Sequence, residues 1–417
     1  MGTALALLLL SQAGAPLASP QVPPSLELRG GLWFDGTTFR EDEFWAVEGR
    51  LTRKKPAHVD ETLDLAGGFV VPPFAEAHNH NVQDGAEATL AAYLRAGIFY
   101  VKNPNSLPRA TTTVRALVNR PEGVDVVFAA GGLTASGGHP VEIVSPGRGF
   151  REEDGEGAFF HLIDDRVALE HSWPGVLAVP RDFLKTYLLY SEEHARRRED
   201  PAAIGWRGLD PELLPEIVRR AHDAGLRVST HVETATDFHH AVRARADEVN
   251  HMPGFRPRPG YALEAYAIAE DDARLAGEQR TVVVTTLGEL LRSLENAAAG
   301  TPAATRAEEV LALHRQNFER LRGHGVRIAI GSDEYDSHSV PEALALARAG
   351  LMEPDELLRA WCRDSAETIF PARRIGRLEE GYEASFLVLG GDPLEDPEHV
   401  RDIRLRVKQG RVLSVDR

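Results

Sequence analysis

The feature that most restricts the fold of this chain is an alternation, repeated through its middle, of short apolar runs with amphipathic stretches. The runs are Phe99-Tyr100-Val101, Val124-Asp125-Val126-Val127-Phe128-Ala129-Ala130, Phe183-Leu184-Lys185-Thr186-Tyr187, Leu226-Arg227-Val228-Ser229-Thr230-His231, Glu248-Val249-Asn250-His251, Val282-Val283-Val284-Thr285 and Val326-Arg327-Ile328-Ala329-Ile330. Short, β-branched and largely uninterrupted by charge, they read as buried parallel strands. The stretches between them have helical periodicity. Residues 211–224, for example, set Leu213, Leu214, Ile217, Val218 and Ala221 on one face. The earlier run Gly68-Phe69-Val70-Val71 makes eight strand–helix units over about 280 residues, the usual length of a (β/α)8 barrel. A doubly wound open sheet is the alternative, but no Gly-x-Gly-x-x-Gly follows the first strand. The expected fold class is α/β, a (β/α)8 TIM barrel.

Both chain ends read differently. Leu26-Glu27-Leu28-Arg29 and Phe44-Trp45-Ala46-Val47 alternate with the period of a half-buried strand, as do the stretches around Ser385-Phe386-Leu387-Val388-Leu389 and Ile403-Arg404-Leu405-Arg406-Val407. The expected division is a barrel at 67–375 and β-rich segments at 20–66 and 376–417. Residues 1–19 form a possible signal peptide. The run Ala4-Leu5-Ala6-Leu7-Leu8-Leu9-Leu10 precedes small residues around Ala13, but no Lys or Arg stands before it. That points to a periplasmic or secreted protein, with a cytoplasmic one as the alternative. No later run approaches the roughly 20 apolar residues that span a bilayer.

Composition narrows the partners. With 47 basic and 63 acidic residues the formal net charge is -16, which argues against nucleic acid. Cys362 is the only cysteine, so neither an intrachain disulfide nor a thiolate metal cluster can form.

In a barrel of this kind the catalytic groups lie at the C-terminal ends of the strands. Five of the eight runs end in, or within a few residues of, a metal-ligand residue type: His78 and His80, Lys185, His231, His251, and Asp333. Each has an ordinary reading: a salt-bridged lysine, satisfied core histidines, a helix N-cap after Gly331-Ser332. Their gathering at one mouth is what chance explains poorly. His78 and His80, two residues apart, share a face if the strand continues through them.

The pattern resembles the amidohydrolase superfamily, in particular members related to imidazolonepropionase and prolidase. The motifs that carry it are Phe69-Val70-Val71-Pro72-Pro73-Phe74-Ala75-Glu76-Ala77-His78-Asn79-His80, Gly331-Ser332-Asp333 and Glu379-Glu380-Gly381-Tyr382-Glu383-Ala384-Ser385-Phe386-Leu387-Val388-Leu389-Gly390-Gly391-Asp392-Pro393-Leu394. Glu76 stands where an Asp is more usual, and so does Ser385. The resemblance implies that the two β-rich ends pack as one small sandwich. It also implies that Lys185 is carbamylated and bridges two divalent ions. An ammonium has no lone pair for a metal, whereas a carbamate supplies two anionic oxygens.

On that reading His78, His80 and Asp333 hold one ion and His231 and His251 the other, with zinc first and Mn, Fe or Co compatible. A bridging hydroxide attacks the carbonyl, and Asp333 carries its proton to the leaving nitrogen. His139, in the glycine-rich stretch 131–140, and Tyr187 are expected to contact substrate. Tyr190, His194, Glu334 and His338 are candidate pocket residues, and 152–178 a candidate lid. The implied function is binuclear hydrolysis of an amide, lactam or peptide C–N bond in a small molecule or short peptide, and a homo-oligomer is compatible with it. The alternatives are a mononuclear deaminase or imidazolone-ring hydrolase, or a non-catalytic relative.

Overall fold

The computed structural model describes residues 22–143, 152–298 and 300–414; the expected leader lies outside them. The chain ends build two sheets. One is four-stranded, in the order Arg50–Thr52, Phe44–Val47, Leu26–Arg29, Glu61–Asp64. The other is six-stranded and mixes both ends, in the order Arg411–Val412, Ile403–Lys408, Phe386–Leu389, Phe69–Val71, Leu32–Phe34, Phe39–Glu41. The strand alternation has the consequence expected of it. Leu26 and Leu28 are buried while Arg29 is exposed, and the inward side chains join Trp33, Phe44, Val70, Phe386 and Val388 in one core. Ser385 has a local role here: its Oγ donates to Glu383 Oε1 (2.7 Å) and accepts from the Gln409 N–H (2.9 Å).

This overturns one strand assignment. Phe69–Val71 pairs antiparallel with Phe386–Leu389 and parallel with Leu32–Phe34, so it belongs to the outer sheet and carries that sheet beyond residue 67. The strand that precedes the histidines is the next one, Phe74–Glu76, after Pro72 and Pro73. A pair of prolines breaks the hydrogen-bond ladder, and the apolar run continues straight through it.

The middle of the chain is TIM-barrel-like. Parallel strands Phe74–Glu76, Ile98–Asn103 and Asp125–Phe128 form one sheet. Gly132–Thr134, Leu184–Tyr187, Val228–His231, Glu248–Asn250, Val282–Val284 and Arg327–Ala329 run in order through the other, which Phe160–Leu162 flanks. Backbone bonds join the two sheets at both margins: Ala77 N–H to Ile330 O (2.9 Å) and Asp182 N–H to Phe128 O (2.9 Å). The helices cover the outside with apolar faces, as in Leu214–Asp223, where Leu214, Ile217, Val218 and Ala221 are buried. Among the described residues no helix is long and apolar enough to cross a membrane.

The stretch 152–178 is not an open loop. It includes the strand Phe160–Leu162, paired with Gly132–Thr134, and the helix Arg166–Ala178.

Candidate metal centre and substrate cavity

The site starts with the way two strand ends are tied together. Glu76 is fully buried, and its carboxylate accepts from the Ser332 N–H (2.9 Å), the Ser332 hydroxyl (2.7 Å) and the His78 N–H (3.2 Å). Burial pushes its pKa up to about 8 against those donors. One methylene longer than aspartate, it still bridges the first and last barrel strands. Asn79 adds a second tie, donating to Ser332 Oγ and to the Glu334 and Ser337 carbonyls. Gly331 is required by proximity, since a Cβ there would sit 2.7 Å from the His78 Cβ and 2.8 Å from its backbone nitrogen. The result holds His78 against Asp333, whose N–H donates to the His78 carbonyl (2.8 Å).

Four imidazoles follow one another across the mouth. Ring centroids are 5.2 Å apart for His78–His80, 4.7 Å for His78–His251 and 4.4 Å for His231–His251. Nε2 of His78 and of His80 lies 3.7 and 3.5 Å from Asp333 Oδ1. Ring orientation is set by the other nitrogen: His80 Nδ1 meets the Asn105 carbonyl (3.3 Å) and His251 Nδ1 the Thr286 hydroxyl (2.8 Å). Phe255 stacks on His251 at 4.2 Å. Burial, reinforced by neighbouring cationic groups, holds the His78, His231 and His251 pKa values well below the ordinary imidazole range. They are therefore neutral, the form that binds metal.

Nitrogen or oxygen atoms of His78, His251 and Asp333 all lie within 4.8 Å of one another, and buried His78 Nδ1 has no hydrogen-bond partner among the described residues. The donor set suits a divalent ion. Two of these positions, His251 (φ 76°) and Asp333 (φ 52°), are left-handed. Non-glycine residues pay about 1–3 kcal/mol for that conformation, and such strain gathers at functional sites.

Lys185 lies below the histidines, buried, with its ammonium donating to Asn250 Oδ1. Burial brings its pKa down to about 7. A buried polar column continues from it. Ser229 donates to Asn250 Oδ1 (2.7 Å), Asn250 Nδ2 to Glu248 Oε1 (2.8 Å), and Lys102 to both Glu248 oxygens (2.8 Å each). Gly132 makes room beside it, because a Cβ there would meet Tyr187 at 2.6 Å and Lys185 at 3.2 Å. Gly132 thus serves close strand packing.

All eight expected site residues, His78, His80, His139, Lys185, Tyr187, His231, His251 and Asp333, line one cavity of about 570 Å³. The Tyr187 hydroxyl accepts from Asn105 Nδ2 (2.9 Å), and its ring meets His139 at 5.2 Å. His139 pairs with Glu142 and lies 5.0 Å from the His231 ring. The four further candidates are elsewhere. The Tyr190 N–H binds Asp237 (3.0 Å), Glu334 pairs with Arg292 (2.6 Å) and His338 caps the helix Ser339–Arg348. His194 faces a separate surface depression with Asp164 and Arg207.

The Amidohydrolase family profile matches residues 202–413, half of the chain. The chain belongs to that family. Ochratoxinase of Aspergillus niger is 27% identical over 191 residues, 45% of this chain and 37% of the relative, so the match spans little more than a third of that protein. The crystal structure of the A. niger ochratoxinase superposes with a TM-score of 0.72 at 17% identity, covering 94% of this chain and 96% of that one. A Xaa-Pro dipeptidase with bound methionine gives 0.69 at 18% identity, covering 94% and 100%. At these identities the likeness is one of fold.

The family match takes in His231, His251 and Asp333 of this amidohydrolase. Sequence reasoning passed over several other side chains of the cavity: Asn105, Trp206, Glu233, Phe255, Arg256, Arg258 and Tyr335. Glu233 is the most consequential, buried with Oε1 3.1 Å from His231 Nε2. Its position two residues beyond a strand-end histidine was a usable signal. The arginines lie in the run Arg256-Pro257-Arg258-Pro259 after His251, which reads as an ordinary loop.

Proposed function

We propose that this chain is a binuclear metal-dependent hydrolase of C–N bonds in amides or peptides. One observation carries the reading: four imidazoles, a buried lysine and an aspartate, brought from five strands, meet on one cavity. His78, His80 and Asp333 would hold one ion, His231 and His251 the other, with Lys185 between them. Zinc is the first choice, and Mn, Fe or Co also suit the ligands. When bound, divalent ions lower the pKa of water from about 15.7 towards 7 and polarise a carbonyl.

The protein's own groups do the rest. Asp333 accepts the proton of the attacking water and returns it to the leaving nitrogen, its carboxylate lying 3.7 and 3.5 Å from Nε2 of His78 and His80. The Lys185 amine, buried and with its pKa lowered, is suited to add carbon dioxide: one N–C bond forms, one proton leaves, and a carbamate results. Asn250 would then hold the modified side chain. His139 and Tyr187 face the substrate from the ends of the third and fourth strands. We read the two parallel sheets as one closed (β/α)8 ring in which Asp125–Phe128 and Gly132–Thr134 are two parts of the third strand, supported by the bonds at both margins, and the outer sheets as one composite β-sandwich domain.

A mononuclear deaminase or ring hydrolase is the second reading, favoured by the compactness of His78, His251 and Asp333. Metal analysis of purified protein, together with hydrolysis of dipeptides, N-acyl amino acids, lactams and lactones, separates the two. Two ions per chain and C–N cleavage are expected. One ion with amine deamination, or no turnover of any amide, would refute the proposal.

A further inference from the structure

The segment that follows His251 puts two arginines into the cavity wall, and they are not equivalent. Arg256 is engaged within the protein: its Nη2 is 3.1 Å from Glu289 Oε2 and 4.0 Å from Asp333 Oδ2. Arg258 has no carboxylate at ion-pair distance among the described residues. Its guanidinium instead lies over the Trp206 ring, 4.1 Å from the centroid, and its backbone N–H donates to the Tyr266 hydroxyl (2.9 Å). Pro257 and Pro259 on either side restrict the backbone.

A stacked guanidinium spends its face on the ring and keeps its in-plane N–H groups. Those donors match both oxygens of a carboxylate at once. Arg258 lines the same cavity as the candidate ligands His231, His251 and Asp333. A cation held by stacking in the wall of the same cavity, with no carboxylate at ion-pair distance among the described residues, calls for an anion on the ligand. A neutral substrate would bury that cation unpaired, which costs affinity. The cavity, about 570 Å³, has room for an acyl group and an amino acid.

We infer that Arg258, held by Trp206, binds the free carboxylate of the substrate, so that the substrate class is N-acyl amino acids and short peptides with a free C-terminus rather than neutral lactams or ureas. This rests on the hydrolase reading above and narrows it.

The test compares N-acetyl amino acids and dipeptides with their C-terminal carboxamides on the metal-loaded full chain. The wild type should prefer the acids by about 10–100-fold in kcat/KM, the scale on which a charged pocket group left unpaired discriminates. Arg258→Gln should bring that ratio to within about threefold of one, with Arg258→Lys between, and Trp206→Leu should raise KM for the acids. A wild-type ratio near one overturns the inference, as does an Arg258→Gln variant that slows acid and amide alike. Should Arg258→Gln not fold, the wild-type ratio and Trp206→Leu decide. Should neither substrate be cleaved, the hydrolase reading falls, and calorimetric binding of the same compounds still tests the anchor. Tighter binding of the acids supports it, and equal affinity for acid and amide removes it.

Discussion

Replacing Lys102 by Met tests how the buried polar column supports the site. Lys102 and Glu248 are both buried, with Nζ 2.8 Å from each carboxylate oxygen. Asn250 and Thr368 complete the carboxylate's donors at 2.8 and 2.9 Å. Burial raises the Glu248 pKa, but Lys102 and these donors outweigh it and leave the group below the ordinary carboxylate range. Burial also lowers the Lys102 pKa, so the pair adds little net stability while breaking it is costly. Removing one partner of a buried pair costs about 3–5 kcal/mol. At about 2.1 cal/mol/K of unfolding entropy per residue over 417 residues, that is a fall of about 3–6 °C in Tm.

The pH dependence has a definite sign. In the wild type the depressed Glu248 pKa gives stability that is present above its unfolded value and lost as pH falls. Without Lys102 the balance reverses and burial holds the carboxyl above its unfolded value. The variant's deficit should therefore shrink from pH 8 towards pH 5. Lys102→Met with Glu248→Gln should recover most of the loss, because no buried charge remains. The assay is thermal unfolding of wild type, single and double variants across that range. A single variant within about 1 kcal/mol of wild type, or a double variant as unstable as the single, would refute the argument.

Asp333→Asn should keep the fold and lower kcat/KM by about 10²–10⁴-fold, read by steady-state kinetics alongside metal content; full activity would remove the proton-transfer role. Gly331→Ala puts a Cβ 2.7 Å from that of His78 and should cost about 1–3 kcal/mol in urea unfolding, with metal content falling as well. Lys185→Ala should lower the metal stoichiometry below two per chain by elemental analysis. A variant that keeps both ions and full activity would sink the bridging assignment.

The residue pattern alone carried the barrel-like middle, the β-rich ends and the eight residues that line the cavity. Strand-end chemistry is local: a period of two, an apolar run and the residue that follows it all appear in the primary order. What it misassigned shows the limit. Phe69-Val70-Val71 is as apolar as a barrel strand, and only its partners Phe386–Leu389 and Leu32–Phe34 place it in the outer sheet. Partner choice depends on how the chain returns in space, which no local window contains.

The same reason separates the recognised ligand residues from the rest of the site. His78, His80, Lys185, His231, His251 and Asp333 announce themselves by residue type at strand ends. Glu76 reaching Ser332, Asn250 under Lys185 and Arg258 over Trp206 are contacts between distant segments. Sequence determined which groups were available for chemistry. Tertiary packing decided which of them are neutral, which are held apart and which charge is left facing the cavity, because burial and proximity exist only once the strands have closed together.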